Sequence, residues 1–172
     1  MDYQNQEFDS KIFQNINFSE ISFKNSSFID CVFESCNLSN VHFDNLRRQD
    51  VVFKNCKILG VNFSKCNKFL ISFNFNESNI SMSVFSDLDL KYIKFNNCQI
   101  SNCDFFNTNL IHAKFNYSDL KGSHFQNTNL SFASFETAKN YSIDPNQNIL
   151  KKTKFSIPEV IGLLDMIDIE IK

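Results

Sequence analysis

A chain of 172 residues with 42% hydrophobic side chains is long enough to bury a core and too apolar to stay disordered. Its 21 Phe and 24 Asn stand beside only 3 Gly and 2 Pro, too few turn residues for a β protein built from hairpins. A net charge of −2 and a pI near 5.9 give no general electrostatic reason to bind nucleic acid, and no direct contact with it is expected.

The first residues, Met1-Asp2-Tyr3-Gln4, carry neither a basic nor an apolar targeting segment, and no stretch approaches 18 apolar residues. With six cysteines and no secretory signal, reduced thiols and a cytoplasmic location are expected, away from any membrane. The wealth of Lys, Asn and Ile fits a bacterial source.

From residue 8 onward the chain has a period of five. Phe stands at 8, 13, 18, 23, 28, 33, 43, 53, 63 and 73, with Leu38 and Ile58 filling gaps. From Phe75 the step resumes two residues out of frame, through Ile80, Phe85, Leu90, Phe95, Ile100, Phe105, Leu110, Phe115, Leu120, Phe125 and Leu130 to Phe135. Two places before most of these centres lies a small or branched residue, for example Cys31, Cys36, Val51, Cys98, Ala113, Ser118 and Thr128. Neither the helical period of 3.6 nor the strand period of 2 yields this spacing.

So short a repeat cannot bury its own face and must stack on copies of itself. A corner every five residues closes a square coil in about twenty, with successive coils paired as parallel strands about 4.8 Å apart. Centres and small residues then point inward. With the two-residue slip placed near Asn76-Glu77, one column is expected to run Phe13, Phe33, Phe53, Phe73, Phe95, Phe115, Phe135. A second is aliphatic below Phe18 (Leu38, Ile58, Ile80, Ile100, Leu120), and a third is Phe23, Phe43, Phe63, Phe85, Phe105, Phe125. The fourth is Phe8, Phe28, Arg48, Lys68, Leu90, Leu110, Leu130.

The units Ala133-Ser134-Phe135-Glu136-Thr137, Thr128-Asn129-Leu130-Ser131-Phe132 and Ser118-Asp119-Leu120-Lys121-Gly122 resemble the A-[DN]-[LF]-X-X unit of pentapeptide-repeat proteins. The resemblance covers roughly residues 6–137. It implies an all-β fold, a right-handed quadrilateral β-helix. A single domain over 1–172 is expected, with 6–137 the β-helix, 138–155 an irregular last coil carrying Leu150 and Phe155, and 156–172 a tail. Ser156-Ile157-Pro158-Glu159 has the form of a capping box, and Val160, Leu163, Leu164 and Ile167 form an apolar stripe, so a C-terminal capping α-helix is expected.

The residues that bear chemistry are dispersed. The cysteines take the small inward position, where thiols act as small hydrophobes. His42, His112 and His124 fall at outward positions, and the carboxylates are scattered. No catalytic residue, cofactor site or metal site is expected, and the chain is not expected to be an enzyme.

Two departures from the repeat are informative. Arg48 and Lys68 stand at centre positions, where a buried unpaired cation is costly, so a bulge is expected that turns them outward and brings Leu46 or Phe69 in. The same face holds apolar residues at outward positions, giving a candidate partner interface of Arg47, Arg48, Lys68, Phe69, Leu70, Tyr92, Ile111 and Phe132. The alternating tail from Met166 suggests a homodimer through Leu163, Leu164, Ile167, Ile169 and Ile171.

The weak net charge and this apolar, basic face favour a non-enzymatic interaction scaffold with an unidentified protein partner. Alternatively, the resemblance implies that the chain acts like the Qnr-type quinolone-resistance members, which resemble B-DNA and engage a type II topoisomerase. The weak net charge and a slip of only two residues depart from that branch, whose loops are long.

Overall fold

The computed structural model describes residues 3–68, 72–164 and 169, without the side chain of Arg48. The chain is a solenoid of short parallel strands. One six-stranded sheet stacks Ile12–Gln14, Val32–Glu34, Val51–Lys54, Phe73–Asn76, Lys94–Asn96 and Lys114–Asn116. Two three-stranded sheets form further faces: Glu7–Asp9, Ser27–Ile29 and Arg47–Gln49; and Lys57–Leu59, Asn79–Ser81 and Gln99–Ser101.

Most corners are made without glycine. The residue two places after a centre turns the chain in the left-handed region, and among the described residues 24 other than glycine have positive φ. Eleven of them are Asn, a residue whose short side chain tolerates that region. The Asn side chains also bond between coils: Asn25 Nδ2 donates to Asn5 Oδ1 at 3.1 Å, and Asn45 Nδ2 to Asn25 Oδ1 at 3.1 Å. The Asp or Asn before a centre has a separate task, because its side-chain oxygen accepts the N–H two residues on. Asn37 takes Ser39 N at 3.1 Å and Asp104 takes Phe106 N at 2.9 Å. Such Asx-turns bend the backbone over the buried centre, which is the physical content of the [DN] position in the repeat.

The interior is a lattice of rings. Phe75, Phe95 and Phe115 stack face to face at 5.1 Å, and Phe63, Phe85 and Phe105 at 4.7 and 5.0 Å. Neighbouring columns meet edge to face, with Phe85 and Phe95 inclined at 89°. That right angle is the corner of the square, and both arrangements suit the ring quadrupole. The small inward residues named above are all buried.

The slip lies elsewhere than expected. Phe33 pairs with Phe53, a step of 20, but Phe53 pairs with Phe75, and Phe75 again with Phe95. The two extra residues therefore enter before Ser72, whose carbonyl receives the Val51 N–H. Phe75, not Phe73, continues the first column. Phe73 pairs with Val51 and takes the small inward position, buried, with its ring 5.5 Å from that of Phe63.

This explains how the core accommodates the missing apolar centres. Arg48 stays in strand register with Phe28, so no bulge forms at that coil, and Lys68 is exposed. Leu46 and Phe73, both oversized for the small position, are buried in the stretch that holds Arg48 and Lys68. Leu46 thus turns inward as expected, while Phe69 lies outside the described residues.

The last coil keeps the ladder. Ile149 and Lys154 bridge to Asn129 and Ser134, and Phe155 stacks on Phe135 at 5.4 Å. Beyond it the described residues hold a six-residue 3-10 helix, Glu159–Leu164, in place of the expected capping α-helix. Val160 N–H donates to the Ser156 carbonyl. Glu159 Oε2, instead of closing a capping box, accepts Asn140 N–H at 3.3 Å and ties the tail to the coil.

Candidate docking surface

The buried thiols are held in place. Cys36 Sγ donates to Phe13 O at 3.3 Å and Cys56 Sγ to Phe33 O at 3.3 Å, carbonyls of the preceding coil. Ser118 Oγ plays the same part, donating to Phe95 O at 3.2 Å while accepting Cys98 N–H at 3.1 Å. Burial pushes the Cys98 thiol up to about 11 and those of Cys56 and Cys103 up to about 12. Thiols so far above neutrality are poor nucleophiles and poor metal ligands. Among the described residues no group of His, Cys, Asp and Glu is arranged to hold a metal ion.

The surface is more informative. Tyr92, His112 and Phe132 occupy one corner in successive coils. Their ring centroids are 5.0 Å apart at each step, with interplanar angles of 4° and 17°. Lys152 extends the series, its Nζ 6.0 Å from the Phe132 centroid. Tyr92 is 63% and Phe132 39% exposed, so this is an aromatic ladder on the outside of the rod. A groove of about 530 Å³ runs beside it, lined also by Lys114, Ser134, Glu136 and Lys154.

These four corner residues, Lys152 included, have positive φ, between 55° and 64°. The same corner in the first three coils carries Ser10, Asp30 and Asp50. Those short polar side chains can bond locally, whereas Tyr and Phe gain nothing in the left-handed region and bear its steric cost.

The structure thus brings together part of the expected interface. Tyr92 and Phe132 meet through His112, which the outward pattern alone marks only as a solvated histidine, and Ile111 lies half-buried beside them. Arg47 belongs elsewhere, its guanidinium 3.6 Å from Glu7 in an exposed pair of small energetic weight. Lys68 is exposed next to the insertion, the side chain of Arg48 is not described, and Phe69 and Leu70 lie outside the described residues. The signal that would have found His112 is its spacing of twenty from both Tyr92 and Phe132.

At the tail, Leu163 packs against the core cluster, which removes it from a free surface, while Leu164 and Ile169 are exposed. Ile167 and Ile171 lie outside the described residues. Among the described residues no helix is long and apolar enough to cross a membrane.

A family model described as pentapeptide repeats matches in eight copies, over residues 12–46 and 103–139. Two trypsin-treated forms of QnrB1, a plasmid-mediated fluoroquinolone resistance protein, are similar in structure. One has a TM-score of 0.53 at 19% identity, covering 99% of this chain and 92% of that one. The other has 0.50 at 19%, covering 100% and 94%. HetL, involved in heterocyst differentiation regulation in the cyanobacterium Nostoc sp. strain PCC 7120, has a TM-score of 0.45 at 13% identity, covering 91% and 89%. No curated protein matches.

Proposed function

The chain is a pentapeptide-repeat protein, and from that premise we propose that it is a non-enzymatic scaffold that docks a protein partner on the Tyr92–His112–Phe132 corner. The observation that carries this reading is the exposed ladder itself, three rings retained in a backbone conformation that disfavours Tyr and Phe. Backbone strain kept at an exposed surface position is characteristic of a binding site. The filled interior and the pinned thiols agree with a role in presenting a surface.

Affinity capture with the full chain tests it. Wild type is expected to retain a partner that Phe132→Asp loses by at least tenfold, with the melting temperature of the two chains within about 3 °C. A partner retained equally by both would remove the corner from the account.

The fold match to QnrB1, spanning nearly the whole of both chains, supports a second reading, a Qnr-type modulator of DNA gyrase or topoisomerase IV. On that reading, purified protein added to a gyrase supercoiling reaction protects it from ciprofloxacin or slows it. A flat response at micromolar excess would dispose of this alternative and leave the scaffold reading in place.

A further inference from the structure

We infer that the occupant of the Tyr92–His112–Phe132 corner is a short, extended, acidic stretch of polypeptide; this rests on the scaffold reading above and names the chemistry of the partner.

The orientation of the rings is the first reason. Rings stacked on successive coils, at the spacing of the strand ladder, lie across the rod and turn their hydrogen-bearing edges to solvent. Ring edges carry the positive end of the aromatic quadrupole and the faces the negative end. Both faces of His112 are covered by its neighbours, and Phe132 is covered by His112 and by the Lys152 ammonium. Nucleobases bind by stacking on free ring faces, which His112 and Phe132 do not offer. A carboxylate needs only positive edges and a cation.

Charge is the second reason. Three ammonium groups, of Lys114, Lys152 and Lys154, line the groove with a single carboxylate, Glu136. Lys154 meets Glu136 only at 3.9 Å, and Lys114 and Lys152 form no ion pair among the described residues. The chain as a whole is slightly acidic, so this is a local reversal of sign. Complementarity of this kind selects an acidic segment and speeds its encounter.

The dimensions agree. From Tyr92 to Lys152 is three coil steps, about 15 Å at strand spacing. Four or five extended residues at about 3.3 Å each cover that length.

The test uses fluorescein-labelled octaglutamate and the full chain, followed by fluorescence anisotropy at low salt. Binding is expected, weakening as salt rises. Lys114→Glu with Lys152→Glu is expected to weaken it at least tenfold. The same charge change elsewhere, Lys57→Glu with Lys121→Glu, is expected to leave it within about twofold. Replacing Tyr92, His112 and Phe132 together by Asn is expected to abolish binding while holding or raising the melting temperature by a few degrees, since Asn relieves the corner strain.

Octaglutamate that fails to bind, or that binds all variants equally, overturns the inference. Labelled oligo-dT binding more tightly than octaglutamate, and lost in the same variants, overturns it in favour of nucleic acid. A fall in melting temperature with unchanged binding in the Asn variant makes the ladder structural and also overturns it. If octaglutamate fails while Phe132→Asp still loses a captured partner, the scaffold reading stands and only the acidic occupant is wrong.

Discussion

Phe85→Ala is expected to lower the melting temperature by about 6–20 °C. Phe85 is fully buried, stacked between Phe63 at 4.7 Å and Phe105 at 5.0 Å, with Phe75 and Phe95 set edgewise against it. Truncating such a ring costs about 3–5 kcal/mol, because the lattice around it cannot collapse into the space. At roughly 2–4 °C per kcal/mol for a chain of this size, the stated range follows. Phe13, in the first coil and only half-buried, is the control; Phe13→Ala should lose distinctly less. Equal and small shifts for the two would mean that the ring columns do not carry the stability of the rod. In a solenoid each coil touches only its neighbours, so a cavity at Phe85 also weakens the link between the halves, and a broadened transition is expected with the lower midpoint.

The second large effect is alkaline unfolding. Burial raises the Cys56 and Cys103 thiols from 9.0 to about 12 and Cys98 from 9.0 to about 11. An acid whose pKa is raised by folding stabilises the fold fully below its unfolded value. That stability is lost as pH climbs from 9 toward the folded value, because the unfolded chain releases protons that the native chain retains. Every tenfold weakening of a thiol's acidity on folding corresponds to about 1.4 kcal/mol. Three thiols together therefore withdraw several kcal/mol by pH 11, comparable with the whole stability of many domains. Melting temperature is expected to be level to about pH 8.5 and to fall steeply between pH 9 and 11. Replacing Cys56, Cys98 and Cys103 by Ser should abolish most of that fall while changing stability at pH 7 little. Ser118 and Ser123 already fill the same positions, with hydroxyls donating to the same kind of carbonyl. A wild-type chain whose melting temperature is flat from pH 8 to 11 would refute the assignment.

Much of this protein is legible in its residues because the repeat acts locally and often. A large residue every five, a small one two places before it, and an Asn or Asp where the backbone must bend determine which side chains face inward at almost every coil. Column composition follows from adding twenty, so most of the stacks of Phe and the aliphatic column are readable from the residues alone. The chemistry of the cysteines is legible for the same reason, since their position in the repeat points them into the core.

The placement of the slip is not legible. Phe73-Asn74-Phe75-Asn76 offers two rings and two amides in alternation, and either ring satisfies the column. Only the hydrogen-bonded ladder decides between them. Pairing Val51 with Phe73 and Phe53 with Phe75 keeps the sheet continuous. It also puts a large ring inside at the level where Arg48 and Lys68 supply no apolar centre. The exposed corner is hidden for a related reason. Within one coil Tyr92, His112 and Phe132 are outward residues of three different types, and nothing local distinguishes them from solvated side chains. They become one surface only when the coils stack at the spacing of a strand ladder, which is also the spacing of stacked rings. The sequence by itself determined what lies inside; tertiary stacking decided which outward residues meet, because contacts between coils depend on register and not on composition.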